Sequence, residues 1–227
     1  METNLENIKE NRDIILAKIK EIHKNSFFMK SKLPKLIAVS KKQEEYKIDE
    51  AIKIGHRFFG ENRVQEAIIR WENRIKHYDD IELRLIGPLQ TNKVKQALKI
   101  FNIIETIDRE KLAKAVADNI DDKTKTKSFY IQVNTGNEEQ KGGVAALEAS
   151  EFINYCKNKL NLPIVGLMCI PPENEEPAVH FSLLRKLALK NNLIELSMGM
   201  SNDFEEAIKF GATSVRIGSK FFGNRKY

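Results

Sequence analysis

Short apolar runs alternate with amphipathic stretches along most of the chain, and this alternation is the feature that most constrains its fold. About eight runs are rich in β-branched or aromatic residues and have the length of buried strands, at residues 36–40, 57–59, 83–86, 103–107, 129–133, 164–169, 194–198 and 214–217. Helical patterns follow most of them, for example at 64–75, 111–120, 145–160 and 204–210. Strands that alternate with helices pair in parallel through right-handed crossovers. The sequence therefore predicts an α/β protein.

The number of units favours a closed barrel over an open, doubly wound sheet. The dinucleotide-binding form of the open sheet carries Gly-x-Gly-x-x-Gly after its first strand, and this chain has no such motif there. About eight βα units close into a (β/α)₈ barrel. The last unit is short, since only GSKFFGNRKY follows Ile217. We predict a (β/α)₈ barrel whose final helix is brief.

An extra helix precedes the first predicted strand. Residues 4–25 place leucine and isoleucine largely at three- and four-residue spacings among charged residues, which is the pattern of an amphipathic helix. No composition break or long linker divides the rest of the chain. We predict a single domain over residues 1–227, in which residues 1–30 form a helix packed on the barrel.

Composition argues against several classes of protein. No stretch has the roughly 18 uncharged apolar residues of a membrane span, and the N-terminus lacks the features of a secretory signal, so we expect a cytoplasmic protein. Cys156 and Cys169 form no CxxC pair and no metal-ligand spacing with a histidine, and we expect both in the core. The net charge of +6 comes from lysines interleaved with nearly as many acids, which indicates a solvated surface more than a nucleic-acid interface.

Polar residues and glycines collect where the predicted strands end. In a (β/α)₈ barrel the C-terminal ends of the strands carry the chemistry. These ends have the sequences SKK (40–42), GEN (60–62), GPLQTNK (87–93), Asp108, QVNTG (132–136), GLMCIPP (166–172), SMGMSND (197–203) and RIGS (216–219). We therefore predict the functional site at this mouth of the barrel.

The stretch SMGMSND is a candidate anion site. Ser201 or Asn202 can cap the helix that follows, and the N–H groups of a first helical turn attract anions. Phosphate sites recur after strands 7 and 8 of such barrels, which is where Ser201 and the pair Gly218 and Ser219 fall. An ordinary capped helix with acids in its first turn is the alternative that spacing alone leaves open.

Two cations occupy unusual positions at predicted strands. Arg216 lies within the apolar run SVRIG, so its guanidinium must reach a ligand at the mouth or a buried acid, with a rim ion pair as the alternative. Lys41 directly follows the first strand. A lysine in an apolar site has a lowered pKa, and its neutral amine attacks carbonyl groups. For this lysine taken alone, a solvated side chain at the loop entrance is the simpler interpretation.

Longer motifs carry a resemblance to a known family. The chain contains, in order, a lysine after AVS, then FFGEN, IGPLQTNK, QVNTG, GLM, LSMGMSND and VRIGSKFFGNRKY. From about Leu36 to Tyr227 these motifs resemble the pyridoxal phosphate homeostasis protein family, the single-domain relatives of the alanine racemase N-terminal domain. The resemblance implies a (β/α)₈ TIM-type barrel that holds pyridoxal 5′-phosphate as a Schiff base. It implies storage, delivery or buffering of this cofactor without an established catalytic reaction.

The resemblance assigns the covalent and phosphate-binding roles to particular residues. The family's lysine falls on Lys41 and not on Lys42. Its phosphate-binding serine falls on Ser201, with Gly218 and Ser219 as further donors. The amine at the end of the first strand is then explained by the aldehyde that it would bind.

The same resemblance assigns Arg216 to the pyridine nitrogen and Asn62 to a position beside the cofactor. This chain departs from many relatives, which have His where it has Arg84 and Thr where it has Ser219. Serine keeps the hydroxyl that a phosphate site needs. Arg84, by contrast, adds a cation that we expect near the mouth.

The resemblance favours a binding protein over an enzyme. Arginine leaves the pyridine nitrogen neutral and weakens carbanion stabilisation, which disfavours transamination and decarboxylation. Racemases also use an arginine there, but they require a tyrosine from a C-terminal domain, which we do not expect because the chain ends at Tyr227. A low-activity, racemase-like enzyme is the alternative, and a basic RNA-binding protein is a third hypothesis. We expect a monomer that binds pyridoxal phosphate, serves pyridoxal phosphate-dependent apoenzymes, and binds neither metal, nucleic acid nor membrane.

Overall fold

The chain folds into a closed barrel of parallel strands surrounded by helices. The structure, a computed structural model, describes residues 2–223, and the side chains of residues 7–223. The strands are β1 (Lys35–Val39), β2 (Phe58–Glu61), β3 (Glu82–Leu85), β4 (Ile103–Ile107), β5 (Ser128–Asn134), β6 (Val144–Ala145), β7 (Ile164–Met168), β8 (Glu195–Ser197) and β9 (Ser214–Ile217). The sheet has the order β4-β3-β2-β1-β9-β8-β7-β5-β6, and a β4–β5 pairing closes it with β6 outside the circle. The predicted (β/α)₈ barrel is confirmed.

Parallel register brings the polar strand ends together at one mouth. On β1, Ala38 lies opposite Phe59 of β2 and opposite Ile217 of β9. Parallel strands finish at the same edge of a sheet. Lys41, which follows β1, and Gly218, which follows β9, are therefore neighbours at this edge.

Helices cover the outside of the barrel. They are α1 (Glu2–Lys24), α2 (Glu45–Lys53), α3 (Val64–Trp71), α4 (Arg74–His77), α5 (Val94–Ile100), α6 (Glu110–Ala117), α7 (Ala149–Asn154), α8 (Pro177–Lys190), α9 (Phe204–Lys209) and α10 (Ser219–Phe222). A 3₁₀ turn (Thr91–Lys93) precedes α5, and a π-helical turn (Tyr155–Lys159) extends α7. As predicted, the last unit ends in a short helix.

The N-terminal helix packs on the side of the barrel where β1, the first strand of the chain, pairs with β9, the last. It contacts α2, α9 and α10 and buries Ile8, Ile15 and Ile19. The helix ends at Lys24 and does not extend to residue 30. Ser26 accounts for this end, because its hydroxyl donates to the His23 carbonyl at 2.8 Å and accepts from the Phe28 N–H at 3.1 Å.

One predicted helical stretch and one predicted helix cap differ from the structure. The stretch 145–160 contains a strand residue at its start, since Val144–Ala145 pairs with β5 and α7 begins only at Ala149. The helix after β8 begins at Phe204, with Asp203 at its N-cap. Ser201 and Asn202 are therefore not its caps. The Asp203 carboxylate makes no cap bond either, because its Oδ1 turns back and accepts from the Met200 N–H at 2.6 Å.

Apolar side chains between strands and helices form the main core. Phe59 of β2 and Trp71 of α3 are fully buried, and their ring centroids lie 4.6 Å apart. Burying one side chain of this size stabilises the fold by roughly 1.5–3 kcal/mol. Cys156 and Cys169 are buried as predicted, and burial raises the pKa of each thiol to about 12.

Arg84 lies inside the barrel and not near its mouth. It is 2% exposed, its Nη1 donates to Glu105 Oε1 at 2.8 Å, and its Nε donates to Glu82 Oε1 at 2.8 Å. Burial acts to lower the Arg84 pKa, but Glu105, Tyr130 and Glu82 together outweigh burial and raise the pKa above its ordinary value. The expectation of a cation near the mouth is wrong, because Arg84 lies within the barrel, where it forms ion pairs with Glu82 and Glu105.

Two kinds of feature are absent from the described part of the chain. No helix within residues 2–223 has both the length and the apolar character that a bilayer crossing requires. Over residues 7–223, no group of three or more His, Cys, Asp and Glu side chains is arranged to hold a metal ion.

Candidate functional site

A cavity of about 670 Å³ opens at the C-terminal mouth of the barrel. Its lining includes all of the residues that the sequence predicted for the site, namely Lys41, Asn62, Ser201, Arg216, Gly218 and Ser219. They come from the ends of β1, β2, β8 and β9. The cavity therefore brings an amine, a guanidinium, an amide and two hydroxyls together in one space.

Lys41 and its neighbour Lys42 have different surroundings. Lys41 is half-buried and lines the main cavity. Lys42 is exposed and does not line that cavity. A second depression, of about 260 Å³, is lined by both lysines. The preceding Ser40 is fully buried, and its N–H donates to the Gly60 carbonyl at 3.0 Å. Lys42 has a φ of 57°, so the chain turns sharply after Lys41. The end of β1 thus directs Lys41, and not Lys42, to the cavity.

Arg216 is fixed at the cavity wall by two hydrogen bonds. Its Nη1 donates to Ser197 Oγ at 2.7 Å and its Nη2 donates to the Cys169 carbonyl at 2.8 Å. The Ser197 hydroxyl donates in turn to Glu105 Oε2 at 2.6 Å. Among residues 7–223, whose side chains are described, no carboxylate forms a direct ion pair with Arg216. The rim ion pair is therefore wrong, and this buried guanidinium lines the cavity with its charge directly paired to none of the described acids.

Two serines lie close together where the loops after β8 and β9 meet. Ser201 Oγ and Ser219 Oγ are 3.5 Å apart. The loop after β8 requires Gly199, which has a φ of +91° and whose added Cβ would lie 2.6 Å from the Ala207 Cβ. The Gly199 carbonyl accepts a hydrogen bond from the backbone N–H of Arg216 at 2.9 Å. The two predicted phosphate loops are thus connected both to each other and to the strand that carries Arg216.

Asn62 presents a polar atom that the described residues leave unsatisfied. Its Oδ1 is buried and has no hydrogen-bond partner among them. A Cβ at Gly87 would lie 2.3 Å from the Asn62 carbonyl oxygen, so a glycine in GPLQTNK is needed for the loop to pack here. A buried acceptor without a donor is costly. A ligand with a hydroxyl or N–H group would satisfy this oxygen.

The outer wall of the cavity contains residues that sequence reasoning did not select. Lys141 lies there with Pro171, Pro172 and Glu175. Its Nζ pairs with Glu138 Oε2 at 2.6 Å and donates to the Pro171 carbonyl at 3.1 Å. The motifs QVNTG and GLMCIPP flank this region, but nothing in their spacing indicates that Lys141 would reach across to the loop after β7.

Comparison with known proteins identifies close relatives of this chain. The family model for the alanine racemase N-terminal domain matches residues 17–226. A pyridoxal phosphate homeostasis protein of Aquifex aeolicus is 41% identical over 202 residues, which cover 85% of this chain and 88% of that protein. The Escherichia coli K12 protein of the same name is 36% identical over 205 residues, with coverage of 85% and 86%.

Solved structures share the fold. PipY of Synechococcus elongatus is 31% identical and is aligned over 90% of this chain and 100% of its own; the TM-score is 0.77 for its structure without PLP and 0.74 for its structure with PLP bound. An alanine racemase of Clostridium difficile, 14% identical, shares the fold with a TM-score of 0.73, and the alignment covers 58% of that longer chain. The sequence matches, together with the barrel, show that this chain belongs to the pyridoxal phosphate homeostasis protein family.

Proposed function

We propose that this protein holds pyridoxal 5′-phosphate as a Schiff base on Lys41 and serves intracellular homeostasis of that cofactor by storing or delivering it. The observation that carries the proposal is the convergence of Lys41, Arg216 and the Ser201–Ser219 pair on one cavity. Membership of the family supports the same ligand, since the related PipY has a structure with PLP bound.

Each part of the ligand has a chemically suitable partner in the cavity. When bound, pyridoxal phosphate supplies an aldehyde that condenses with a primary amine, and Lys41 is the amine proposed for it. The hydroxyls of Ser201 and Ser219, with Gly218 in the same loop, are suited to donate to a phosphate. Arg216 is proposed to donate to the ring nitrogen. Asn62 Oδ1 needs a donor, which a ring hydroxyl would provide.

The proposal is that the protein binds the cofactor and does not use it for catalysis. A guanidinium only donates hydrogen bonds, so Arg216 would leave the ring nitrogen a neutral acceptor and the ring a weak electron sink. Among the described residues that line the cavity there is no tyrosine, histidine or cysteine. The other titratable groups of the lining, apart from Lys41 and Arg216, are Lys141, which is ion-paired with Glu138, and the carboxylates of Glu173, Glu175 and Asp203. These features support a carrier over a racemase.

An absorbance spectrum with borohydride reduction tests the binding proposal. The purified protein, mixed with pyridoxal phosphate, should show a near-violet band that borohydride removes. Incubation with alanine in deuterated water tests the racemase-like alternative, because a racemase would exchange the α-proton. Absence of the band would contradict the proposed function, and rapid α-proton exchange would replace it with the enzymatic one.

We also propose the setting in which the protein acts. Residues 1–227 would form a single domain that is monomeric, is located in the cytoplasm and passes the cofactor to pyridoxal phosphate-dependent apoenzymes. It would bind neither nucleic acid nor membrane, because its basic residues are interleaved with acids. Light scattering during gel filtration tests the monomer, and a labelled RNA probe over a range of salt concentrations tests nucleic-acid binding.

A further inference from the structure

Arg70 of α3 is bonded to the segment that carries Lys41, although it does not line the cavity. The segment, here called the Lys41 loop, comprises residues 40–44 between β1 and α2. Arg70 Nη1 donates to the Ser40 carbonyl at 3.2 Å, and Nη2 donates to the Gln43 carbonyl at 3.4 Å. Its Nε donates to Glu45 Oε1, in the first residue of α2, at 3.0 Å. One guanidinium therefore holds the loop on both sides of Lys41.

A buried carboxylate holds Arg70 in place. Glu61 is fully buried, and its Oε1 accepts from Arg70 Nη1 at 2.9 Å, from Ser40 Oγ at 2.6 Å and from Trp71 Nε1 at 3.1 Å. Ser40 is thus bonded to Glu61 by its side chain and to Arg70 by its carbonyl. Such an arrangement fixes the peptide that joins Ser40 to Lys41.

The Lys41 loop has a conformation that needs this support. Lys42 is a lysine with a φ of 57°, a left-handed backbone conformation that residues with a Cβ rarely adopt. A lysine side chain is long and flexible, so the direction in which its amine points depends on where its Cα is held. Without Arg70, the Gln43 carbonyl would lose its side-chain donor. The loop would then be held through Ser40, by its bonds to Gly60, Glu61 and the Gln43 N–H.

We propose that Arg70 is a positioning residue for Lys41, which holds the Lys41 loop so that the amine meets the aldehyde of the bound ligand. This inference depends on the proposed function. Misplacing a reacting group by about 1 Å costs on the order of a hundredfold in rate. Loss of Arg70 should therefore slow Schiff base formation by roughly ten- to a hundredfold and leave the non-covalent binding of the ligand unchanged.

Arg74 of α4 provides a matched control. It pairs with the same Glu45, at 2.7 Å from Oε2, and with Asp49 at 2.7 Å. The two side chains are similarly buried, 16% exposed for Arg74 and 12% for Arg70. Arg74 has no hydrogen bond to Ser40, Gln43 or Glu61. Arg74→Ala therefore removes two ion pairs to exposed carboxylates without releasing the Lys41 loop, whereas Arg70→Ala also leaves the buried Glu61 without its ion pair.

The experiment separates the covalent step from binding. Stopped-flow absorbance gives the rate at which each protein, freed of cofactor, forms the near-violet band with pyridoxal phosphate. Calorimetry gives the affinity for pyridoxine 5′-phosphate, which has the ring and the phosphate but no aldehyde. Arg70→Ala should lower the rate roughly ten- to a hundredfold and Arg74→Ala less than about twofold, with pyridoxine phosphate affinity unchanged in both. Arg70→Lys, which keeps a charge beside Glu61 but cannot reach all of the acceptors, should slow the rate by an intermediate factor.

Several results would overturn the inference. Arg70 does not position Lys41 if Arg70→Ala forms the band at the rate of the parent, or if Arg70→Ala and Arg74→Ala are slowed equally. The same conclusion follows if Arg70→Ala loses affinity for pyridoxine phosphate by the factor by which its rate falls. If Arg70→Ala does not fold, Arg70→Lys decides the question, and a parental rate in that variant is the contrary result. Failure of the parent protein to form the band would instead contradict the proposed function, so the two failures are distinguishable.

Discussion

Ser197 Oγ accepts a hydrogen bond from Arg216 Nη1 at 2.7 Å inside the barrel. The same hydroxyl donates to Glu105 Oε2 at 2.6 Å, and Glu105 Oε1 accepts from Arg84 Nη1 at 2.8 Å. A single carboxylate thus holds one arginine directly and the other through a hydroxyl. Because Arg216 reaches the acid only through Ser197, its guanidinium is held in place without being neutralised by direct contact.

Replacing Arg216 should change the chemistry that the site permits. Arg216→Glu would place a carboxylate where the guanidinium is proposed to face the ring nitrogen, and this change would favour a protonated ring. We expect the near-violet band of this variant to disappear with alanine at least roughly tenfold faster than that of the parent. Chromatography would detect the pyridoxamine phosphate formed. Arg216→Gln, which cannot supply a charge, is the control. If the parent and Arg216→Glu lose the band at equal rates, residue 216 does not contact the ring nitrogen.

Glu105 should matter more for stability than Glu82, although both bind Arg84. Glu105 is fully buried and also accepts from Ser197, whereas the Glu82 side chain is 21% exposed. Removing one partner of a buried ion pair costs about 3–5 kcal/mol. We expect Glu105→Gln to lower the free energy of unfolding by about this amount and Glu82→Gln to cost less than about half of it. Urea unfolding of the cofactor-free proteins measures both, and equal losses would contradict this account of the interior network.

Most of the barrel was predictable because its strands are short, apolar and separated by helical patterns. Residues 103–107 and 214–217 were predicted with the bounds that the structure has. Helix caps were less predictable, because they depend on the direction of single side chains. Asp203 is an example, since it occupies the N-cap but bonds backward to Met200. Residue type alone does not reveal that direction.

The candidate site was predictable where it consists of strand ends, and not where it depends on contacts between distant residues. Arg84 was expected near the mouth. Its true partner, Glu105, is found only from the register that puts Arg84 opposite Ile103, two residues before Glu105 on β4. Arg70 was missed for the same reason, since it acts from α3 on a loop thirty residues earlier in the chain. Neither pairing leaves a local signal in the sequence.

Ser201 should anchor the phosphate without stabilising its helix. Charge-assisted hydrogen bonds contribute about 1.5–3 kcal/mol each, so Ser201→Ala should release pyridoxal phosphate roughly ten- to a hundredfold faster. The melting temperature of the cofactor-free variant should be unchanged, because Asp203 and not Ser201 occupies the N-cap. Pyridoxal without phosphate is the control ligand and should bind parent and variant about equally. An unchanged off-rate with a lowered melting temperature would contradict the phosphate role.

His56 should make the fold sensitive to acid. Burial lowers its pKa from 6.5 to about 4, and its ring packs 4.8 Å from the Phe221 ring and 5.1 Å from the Phe59 ring. Because the folded-state pKa is the lower one, this contribution to stability is present above pH 6.5 and is lost as pH falls to about 4. The loss should reach about 3 kcal/mol. Urea unfolding of the parent and of His56→Gln across this range tests it, and parallel pH profiles would contradict it.

The attachment of the cofactor to Lys41 is the central claim, and borohydride reduction followed by peptide mapping tests it most directly. Lys41 lines the main cavity, whereas Lys42 is exposed and lies beyond the turn. Lys41→Ala should therefore abolish the near-violet band, while Lys42→Ala, the matched control, should retain it. We expect the reduced pyridoxyl label of the parent protein on Lys41 alone. A label on Lys42 or on another lysine, or a band that persists in Lys41→Ala, would contradict the account.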